Sequence, residues 1–250
     1  MTSAPNFHGK KELMRSNIPS SVSDPRSFGK RLLMIIIASV LFSGCATGTK
    51  DTSRSFKTVV IDAGHGGHDN GARSRWGGQE KNNTLSVALK LEPKLRAAGF
   101  KTVLTRKGDY FVELNERANI SNRQSNAIFV SIHFNDSPRR RISGAEVYYR
   151  SEPSRIIAQR ILANLSSLPG LRSRYIKTAN FRVLRKNLYP AVLVECGYLS
   201  NRKEGRLCAS PQQHERLASA IAKSLIEQRG LTGTAPVNAP VAPKPVAAVR

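Results

Sequence analysis

Between about residues 57 and 229, short apolar runs alternate with longer segments in which apolar residues recur at helical spacing. KTVVIDA at 57–63 is rich in β-branched residues and is followed by a glycine, and AIFVSIH at 127–133 and AVLVE at 191–195 are similar. Such runs are typical of buried strands. Strands that alternate with helices form layered α/β folds. The pattern therefore predicts one α/β domain with helices on both faces of its sheet.

The remaining elements are predicted from the same patterns. Further strands are expected at 102–105 and 145–149, and further helices at 112–123, 153–165 and 211–228. One more helix is expected to be capped by Asn83 and Thr84, because Asn and Thr side chains bond the free N–H groups at helix starts. Pro93 is expected to kink or restart this helix before Gly99 ends it.

The N-terminal segment has the pattern of an export signal. Lys30 and Arg31 precede eleven uncharged, mostly apolar residues at 32–42, a run too short to span a bilayer comfortably. Small residues and then Cys45 follow, which resembles the lipobox of bacterial lipoproteins, except that Phe42 stands where Leu is usual. An ordinary signal peptide and an uncleaved anchor remain alternatives. All three place the rest of the chain outside the cytoplasm.

These features divide the chain into four parts. Residues 1–45 are predicted to be the signal, and 46–56, which are small and polar, a tether. Residues 57–229 are the predicted folded domain, and 230–250, rich in Pro, Ala and Val, a disordered tail. We expect a monomer in the periplasm, anchored by a lipid on Cys45 to the outer membrane or to the outer face of the cell membrane.

Basic residues greatly outnumber acidic ones. The chain has 40 Lys and Arg against 17 Asp and Glu, a formal net charge of +23, and residues 56–229 contribute 30 and 14 of these, or +16. This excess predicts an anionic partner such as nucleic acid, an anionic membrane or a cell-wall polymer. The sequence shows no nucleic-acid-binding motif and no aromatic residues interleaved with basic ones. We therefore predict a solvated basic face and no binding of nucleic acid.

Polar side chains stand where the predicted strands end. His65 lies in the glycine-rich loop after the first strand, His133 and Glu195 end later strands, and Glu80 shortly precedes the first helix. The carboxyl ends of strands in an open α/β sheet face one crevice, so these four residues are expected to meet there. Each residue alone would have an ordinary structural role, and the joint pattern is what indicates a site.

The residue types in this set indicate a particular chemistry. Two imidazoles and one carboxylate, from His65, His133 and Glu80, form a three-ligand zinc site with a position left for water. Glu195 is then the carboxylate that takes the proton of the water and passes it to a leaving amine. His68 is expected to be a solvated neighbour, and His214 to lie on the polar side of the last helix without a role.

Cys196 and Cys208 lie twelve positions apart in a chain that is expected to be exported. An oxidising compartment permits a disulfide between them. A buried thiol together with a second free one is the alternative, because sequence does not supply the Cα separation that a bridge needs.

Several stretches, in the same order, resemble the zinc-dependent N-acetylmuramoyl-L-alanine amidases of the Amidase_3 family. They are IDAGHGGHDNGA (61–72), GGQEKNN (77–83), VLTRKGDYFVELNERANISN (103–122), IFVSIHFND (128–136), GAEVYY (144–149) and PAVLVECGYLSNRKE (190–204). The resemblance implies a mixed, mainly parallel sheet flanked by helices. It also implies that His65, Glu80 and His133 bind Zn²⁺ and that Glu195 is the catalytic acid/base. Asn83 and Cys196 depart from the usual residues of the family.

The resemblance implies an enzyme that acts on peptidoglycan, an anionic cell-wall polymer. It would cleave the amide between N-acetylmuramic acid and the L-alanine of the stem peptide, in wall remodelling or septum splitting. Some relatives carry a long inserted helix that blocks the zinc, and the short stretch between Tyr149 and Asn187 implies that this protein does not. The alternative is a zinc-containing protein that binds or anchors to peptidoglycan without cleaving it.

Overall fold

The computed structural model describes residues 50–230. The predicted signal segment, the proposed lipid site at Cys45, residues 46–49 of the predicted tether and residues 231–250 of the Pro-rich tail lie outside the described residues. Within the described range, none of the helices combines the length and the apolar character needed to cross a membrane.

Residues 50–230 contain eight strands in two sheets. They are β1 (Thr58–Ala63), β2 (Arg73–Ser74), β3 (Gly78–Gln79), β4 (Lys101–Leu104), β5 (Ala127–Asn135), β6 (Ala145–Tyr149), β7 (Ser173–Thr178) and β8 (Ala191–Tyr198). β2 and β3 form a small antiparallel pair, and the other six form one sheet in the order β4-β1-β5-β8-β6-β7. Only the β6–β8 pair of this sheet is antiparallel. The sheet is therefore mixed and mainly parallel, as the resemblance implied.

Helices pack on both faces of the large sheet. They are α1 (Glu80–Ala97), α2 (Leu114–Asn122), α3 (Glu152–Ser166), α4 (Arg182–Arg185), α5 (Arg202–Cys208) and α6 (Pro211–Gly230). Successive residues of β1 face opposite sides, so Val59 and Ile61 join a large core with α1, α3 and α6. Val60 joins a smaller core with residues of α4 and with Ile120 of α2. The predicted two-sided α/β architecture is therefore confirmed.

The first helix begins earlier than predicted. Asn83 and Thr84 do not cap it, because α1 starts at Glu80 and both side chains are buried within the helix. The free N–H groups are bonded by backbone instead: the N–H of Glu80 donates to the carbonyl of Ala72 at 2.9 Å, and that of Lys81 to the carbonyl of Asn70 at 3.3 Å. The helix start therefore depends on a tertiary contact that no capping residue signals.

The helix does not restart at Pro93, since α1 runs as one helix through this residue. Leu91 and Leu95, on either side of it, are completely buried in the large core. Their packing keeps the helix continuous although proline removes one backbone hydrogen bond. Gly99 follows the end of the helix with a φ of 80°, as its predicted role requires.

Sequence patterns missed several short elements. β7 alternates charged and apolar residues weakly, and only Ile176 of this edge strand is buried. The pair β2–β3 contains no large apolar side chain, and α4 is a single turn, too short to show a helical period. The segment between Tyr149 and Asn187 thus contains the expected helix and, in addition, a strand and a short helical turn.

His214 is buried, which corrects its predicted place on the polar side of the last helix. Only 4% of the residue is exposed. Its Nε2 lies 2.6 Å from the carbonyl oxygen of Cys208, and its Nδ1 lies 2.8 Å from the hydroxyl of Ser86. The imidazole therefore joins α6 to α1 and to the end of α5. Cys196 and Cys208 are both buried free thiols, so no disulfide links them.

Burial lowers the pKa of His214 below its ordinary value of 6.5, against the smaller opposing effect of the Cys208 carbonyl. Below pH 6.5 the unfolded chain therefore binds a proton that the folded protein does not, and the free energy of unfolding falls as the pH falls. We expect His214→Gln to be less stable than wild type at pH 8, and this difference to shrink at pH 5. Urea unfolding of both proteins measures it, and an equal difference at both pH values would contradict the prediction.

Candidate active site

The four predicted residues meet at the carboxyl edge of the large sheet. His133 on β5 lies directly opposite Glu195 on β8 in the parallel register. His65 follows β1, and Glu80 is the first residue of α1. Possible ligand atoms of His65, Glu80 and His133 all lie within 4.8 Å of one another. With Glu195 they line one open cavity of about 560 Å³.

Glu80 is at the centre of this cluster. Its Oε1 lies 3.0 Å from Nε2 of His65 and 3.0 Å from Nδ1 of His133. The backbone N–H of Phe134 donates to the same oxygen, and that of Ala72 donates to Oε2. Burial would raise the pKa of Glu80, but the two imidazoles outweigh it and lower that pKa strongly. The side chain is therefore a fixed carboxylate.

Asp69 orients His65, a role that sequence reasoning did not assign. Its Oδ2 lies 2.8 Å from Nδ1 of His65, which leaves Nε2 facing Glu80. Its other oxygen accepts the N–H of Gly71 at 3.0 Å. His65 itself has a φ of 61°, in the left-handed region that residues other than glycine rarely adopt. The position of Asp69 four residues after His65 in the glycine-rich loop is the only sequence signal for this contact.

Two buried arginines hold the backbone of the same loop. Arg117 lies 2.8 Å from the carboxylate of Asp62 and donates to the carbonyl of His65 at 2.7 Å. Arg106 donates to the carbonyls of Ala63 and Gly64 at 2.9 and 2.8 Å. Both arginines are almost fully buried. Their hydrogen bonds fix the positions of loop carbonyls, which stabilises the unfavourable backbone of His65.

Asp62 is the buried acidic partner of Arg117 beneath the glycine-rich loop. Burial alone would raise the pKa of its carboxyl group, but Arg117 and the hydroxyls of Ser131 and Thr105 lower it. The hydroxyls donate to it at 2.6 and 2.7 Å. Asp62 is therefore ionised beneath the cluster. Neither Asp62 nor Arg117 was assigned a role from the sequence, because nothing in their local patterns shows that they pair.

Two glycines in the loop leave space that the cluster occupies. A Cβ at Gly64 would collide with the imidazole ring of His133. A Cβ at Gly71 would lie 2.5 Å from Oε2 of Glu80, and the φ of this residue is also positive at 62°. The close approach of the loop to His133 and Glu80 thus requires glycine at both positions.

Glu195 differs from Glu80 in its surroundings. Its Oε2 is buried and has no hydrogen-bond partner among residues 50–230. Burial first, and then the carboxylates of Glu80 and Glu146, raise the pKa of Glu195 well above its ordinary value. Glu146 lies opposite it on the neighbouring strand β6. These surroundings favour the protonated form of the Glu195 carboxyl group.

The remaining wall of the cavity is partly apolar. Leu114, Phe181 and Val183 line it, and the first two are 47% and 42% exposed. Within the described part of the chain no residue of α3 lines the cavity. His68 is exposed and packs on Phe111 with ring centroids 4.2 Å apart, outside the cluster, as expected.

Comparison with known proteins places this site in a family. The family model Amidase_3, described as N-acetylmuramoyl-L-alanine amidase, matches residues 59–227. The uncharacterized protein YqiI of Bacillus subtilis is 36% identical over 173 residues, which are 68% of this chain and 83% of YqiI. The N-acetylmuramoyl-L-alanine amidase LytC of the same organism is 34% identical over 66% of this chain, but the match covers only 34% of LytC.

A solved structure agrees with the sequence comparison. The catalytic domain of CwlV, an N-acetylmuramoyl-L-alanine amidase from Bacillus (Paenibacillus) polymyxa var. colistinus, superposes with a TM-score of 0.66 at 38% identity. The match covers 69% of this chain and 97% of the CwlV domain. The chain therefore belongs to the Amidase_3 family. The predictions of its fold and of an enzyme of the amidase class are confirmed.

Removing the ion pair between Asp62 and Arg117 tests how much this pair stabilises the fold beneath the glycine-rich loop. We expect Arg117→Met to lower the free energy of unfolding by about 3–5 kcal/mol, because it leaves a buried carboxylate uncompensated. Arg123 directly follows α2, the helix that contains Arg117, and pairs with Glu116 on the surface. Arg123→Met is the matched control and should leave stability nearly unchanged. Equal stabilities of the two variants in urea unfolding would refute the proposed role of the buried pair.

Proposed function

We propose that the protein is a zinc-dependent peptidoglycan hydrolase. It cleaves the amide between N-acetylmuramic acid and the L-alanine of the stem peptide, in wall remodelling or septum splitting. The observation that carries the proposal is the convergence of His65, Glu80 and His133 on the cavity that also holds the carboxyl group of Glu195. Membership of the Amidase_3 family supports the same reaction.

The three side chains fit Zn²⁺ by their chemistry. Two imidazole nitrogens and a carboxylate oxygen are ligands that zinc prefers, and three of them leave a position open. Oε1 of Glu80 lies 3.0 Å from both imidazoles, so the donor atoms already point at a common region. Asp69 supports His65 from its other nitrogen, as the partners of zinc-binding histidines do. Zinc held by His65, Glu80 and His133 would act as a Lewis acid that polarises the scissile carbonyl and makes water more acidic.

Glu195 moves the proton in this proposal. Its carboxylate takes a proton from water as the water oxygen bonds to the carbonyl carbon. The carboxyl group then gives that proton to the nitrogen of L-alanine as the carbon–nitrogen bond breaks, which leaves a carboxylic acid and a free amine. The raised pKa of Glu195 suits the second step. A cation among the three ligands would offset the repulsion from Glu80 and so suit the first.

The location of the enzyme is part of the proposal. We infer that the protein is exported to the periplasm and anchored by a lipid on Cys45, with residues 1–45 as its signal. The tether at 46–56, the catalytic domain at 57–229 and the tail at 230–250 complete the organisation. Phe56, the last residue of this tether, is already buried in the large core of the domain. The signal-like pattern of the sequence supports export, and so does the similarity to a relative described as a probable cell wall amidase. The enzyme is proposed to work as a monomer.

The reaction is tested on purified sacculi. We expect wild type to release stem peptides with a new amino-terminal alanine, detected by mass spectrometry. Glu195→Gln should release them about 100-fold or more slowly, because it removes the group that transfers the proton. Elemental analysis should find its zinc content unchanged, whereas His133→Ala should lose zinc.

The alternative is a protein that holds zinc and binds or anchors to peptidoglycan without cutting it. Sacculi that retain all their stem peptides in the presence of zinc-loaded wild type would favour that alternative. Full turnover by Glu195→Gln would instead contradict only the assignment of the proton-transfer group.

Gly64 tests the ligand geometry without touching a ligand. Gly64→Ala places a methyl group against the ring of His133, so we expect zinc affinity to fall about tenfold or more. Gly108→Ala is the control, because its added methyl would have no neighbour closer than 3.6 Å and its φ is not positive. Competition with a zinc chelator measures both affinities. Unchanged affinity in Gly64→Ala would argue against His133 as a ligand.

A further inference from the structure

Beside the catalytic cavity lies a cleft of about 660 Å³ walled by arginines. Arg139, Arg140, Arg141, Arg172 and Arg174 line it, together with Ile142 and Ser143 and with no acidic residue. It lies between the loop that follows β5 and the segment that begins β7. Five guanidinium groups around one concavity create a strongly positive potential there.

A second cleft, of about 460 Å³, continues this surface. It shares Arg140 with the first cleft and adds Arg73, Arg75 and Arg202. Trp76 lies between them, with the guanidinium carbons of Arg75 and Arg202 at 4.3 and 5.2 Å from the centre of its ring. We call the two clefts together the arginine surface. No acidic residue lines the second cleft either.

Several of these charges have no partner within the described fold. Arg174 lies 2.6 Å from Glu146, and Arg140 lies 4.0 Å from Asp136. Among residues 50–230, the side chains of Arg139, Arg141 and Arg172 make no hydrogen bond, ion pair or aromatic contact, and all three are exposed. Like charges held close together repel one another, so an anionic ligand would relieve a cost that the folded protein bears alone.

The arginine surface adjoins the catalytic cavity at one ion pair. Asp136 lines that cavity and pairs with Arg140, which lines both arginine clefts. A polymer with one unit in the cavity would therefore extend its next units over the arginines. The planar guanidinium group binds carboxylates through two parallel hydrogen bonds. Concave clefts also suit a flexible peptide better than the flat surface of a bilayer.

We propose that the arginine surface binds the carboxylates of neighbouring stem peptides on the same peptidoglycan strand. This inference rests on the proposed function, since it names the part of the substrate that lies beyond the bond being cut. The surface is a binding site, and it does not take part in the chemistry. It would hold the enzyme on polymeric substrate and contribute nothing to short fragments that fill only the catalytic cavity.

The test removes three unused charges from the surface of the full chain. The triple variant Arg139→Gln, Arg141→Gln, Arg172→Gln is compared with Arg54→Gln, Arg96→Gln, Arg216→Gln. The control removes the same charge from exposed arginines that line neither cleft. Binding is measured by sedimentation with sacculi freed of phosphate polymers, in a Glu195→Gln background so that the sacculi stay intact. We expect about tenfold weaker binding for the cleft variant at low salt, and little change for the control.

Two further probes identify the ligand. Sacculi whose carboxyl groups have been amidated should bind wild type as weakly as untreated sacculi bind the cleft variant. Vesicles of phosphatidylglycerol should bind the cleft variant and the control equally. Equal binding of both variants to sacculi would overturn the proposal, and so would a cleft-specific loss on vesicles with none on sacculi, which would assign the surface to a membrane.

Activity separates this proposal from the proposed function. With Glu195 intact, the cleft variant should cleave a soluble muramoyl dipeptide like wild type, while its KM for sacculi rises. If wild type releases no stem peptides, the proposed function fails. The comparison of the two variants in binding to sacculi still decides whether the arginine surface binds peptidoglycan. A cleft variant that loses activity equally on the dipeptide and on sacculi would overturn the binding role.

Discussion

The buried contact between Asp62 and Arg117 underlies the rest of the site. Arg117 reaches from α2 to the end of β1, where it pairs with Asp62 and donates a hydrogen bond to the carbonyl of His65. This contact holds His65 in a backbone conformation that it would not adopt freely, with φ at 61°. The imidazole of His65 is therefore already oriented towards Glu80, so less conformational entropy is lost when a ligand binds.

Charge is arranged in opposite ways inside and outside this domain. The interior of the site concentrates carboxylates, with Glu80 and Glu195 on the cavity and Glu146 opposite Glu195. Histidines stabilise the ionised form of Glu80, while burial and its acidic neighbours disfavour the ionised form of Glu195. The outer surface carries an excess of arginine that has few acidic partners at the two clefts. An acidic centre suits a cation and a basic rim suits an anionic polymer, so both features are consistent with one enzyme.

Strong local patterns explain which elements were predictable. β1, β5 and β8 are buried over most of their length, and their apolar runs mark them clearly. The edge strand β7 buries only Ile176, so its pairing with β6 is carried by backbone groups that leave no trace in residue type. The start of α1 and the burial of His214 were wrongly predicted for a related reason. Both depend on distant partners, namely the loop carbonyls at Ala72 and Asn70 and the end of α5.

The amino-acid sequence alone was sufficient for the α/β architecture, the family and the four residues of the candidate site. These follow from local periodicity, from residue type at strand ends and from motifs in a fixed order. Only the tertiary structure identified Asp69 and Arg117 as supports of His65, left both thiols free, and joined arginines from four separate segments into one surface. Contacts between segments that are distant in sequence depend on how strands and loops pack in three dimensions. Neither residue spacing nor composition specifies which of these segments touch.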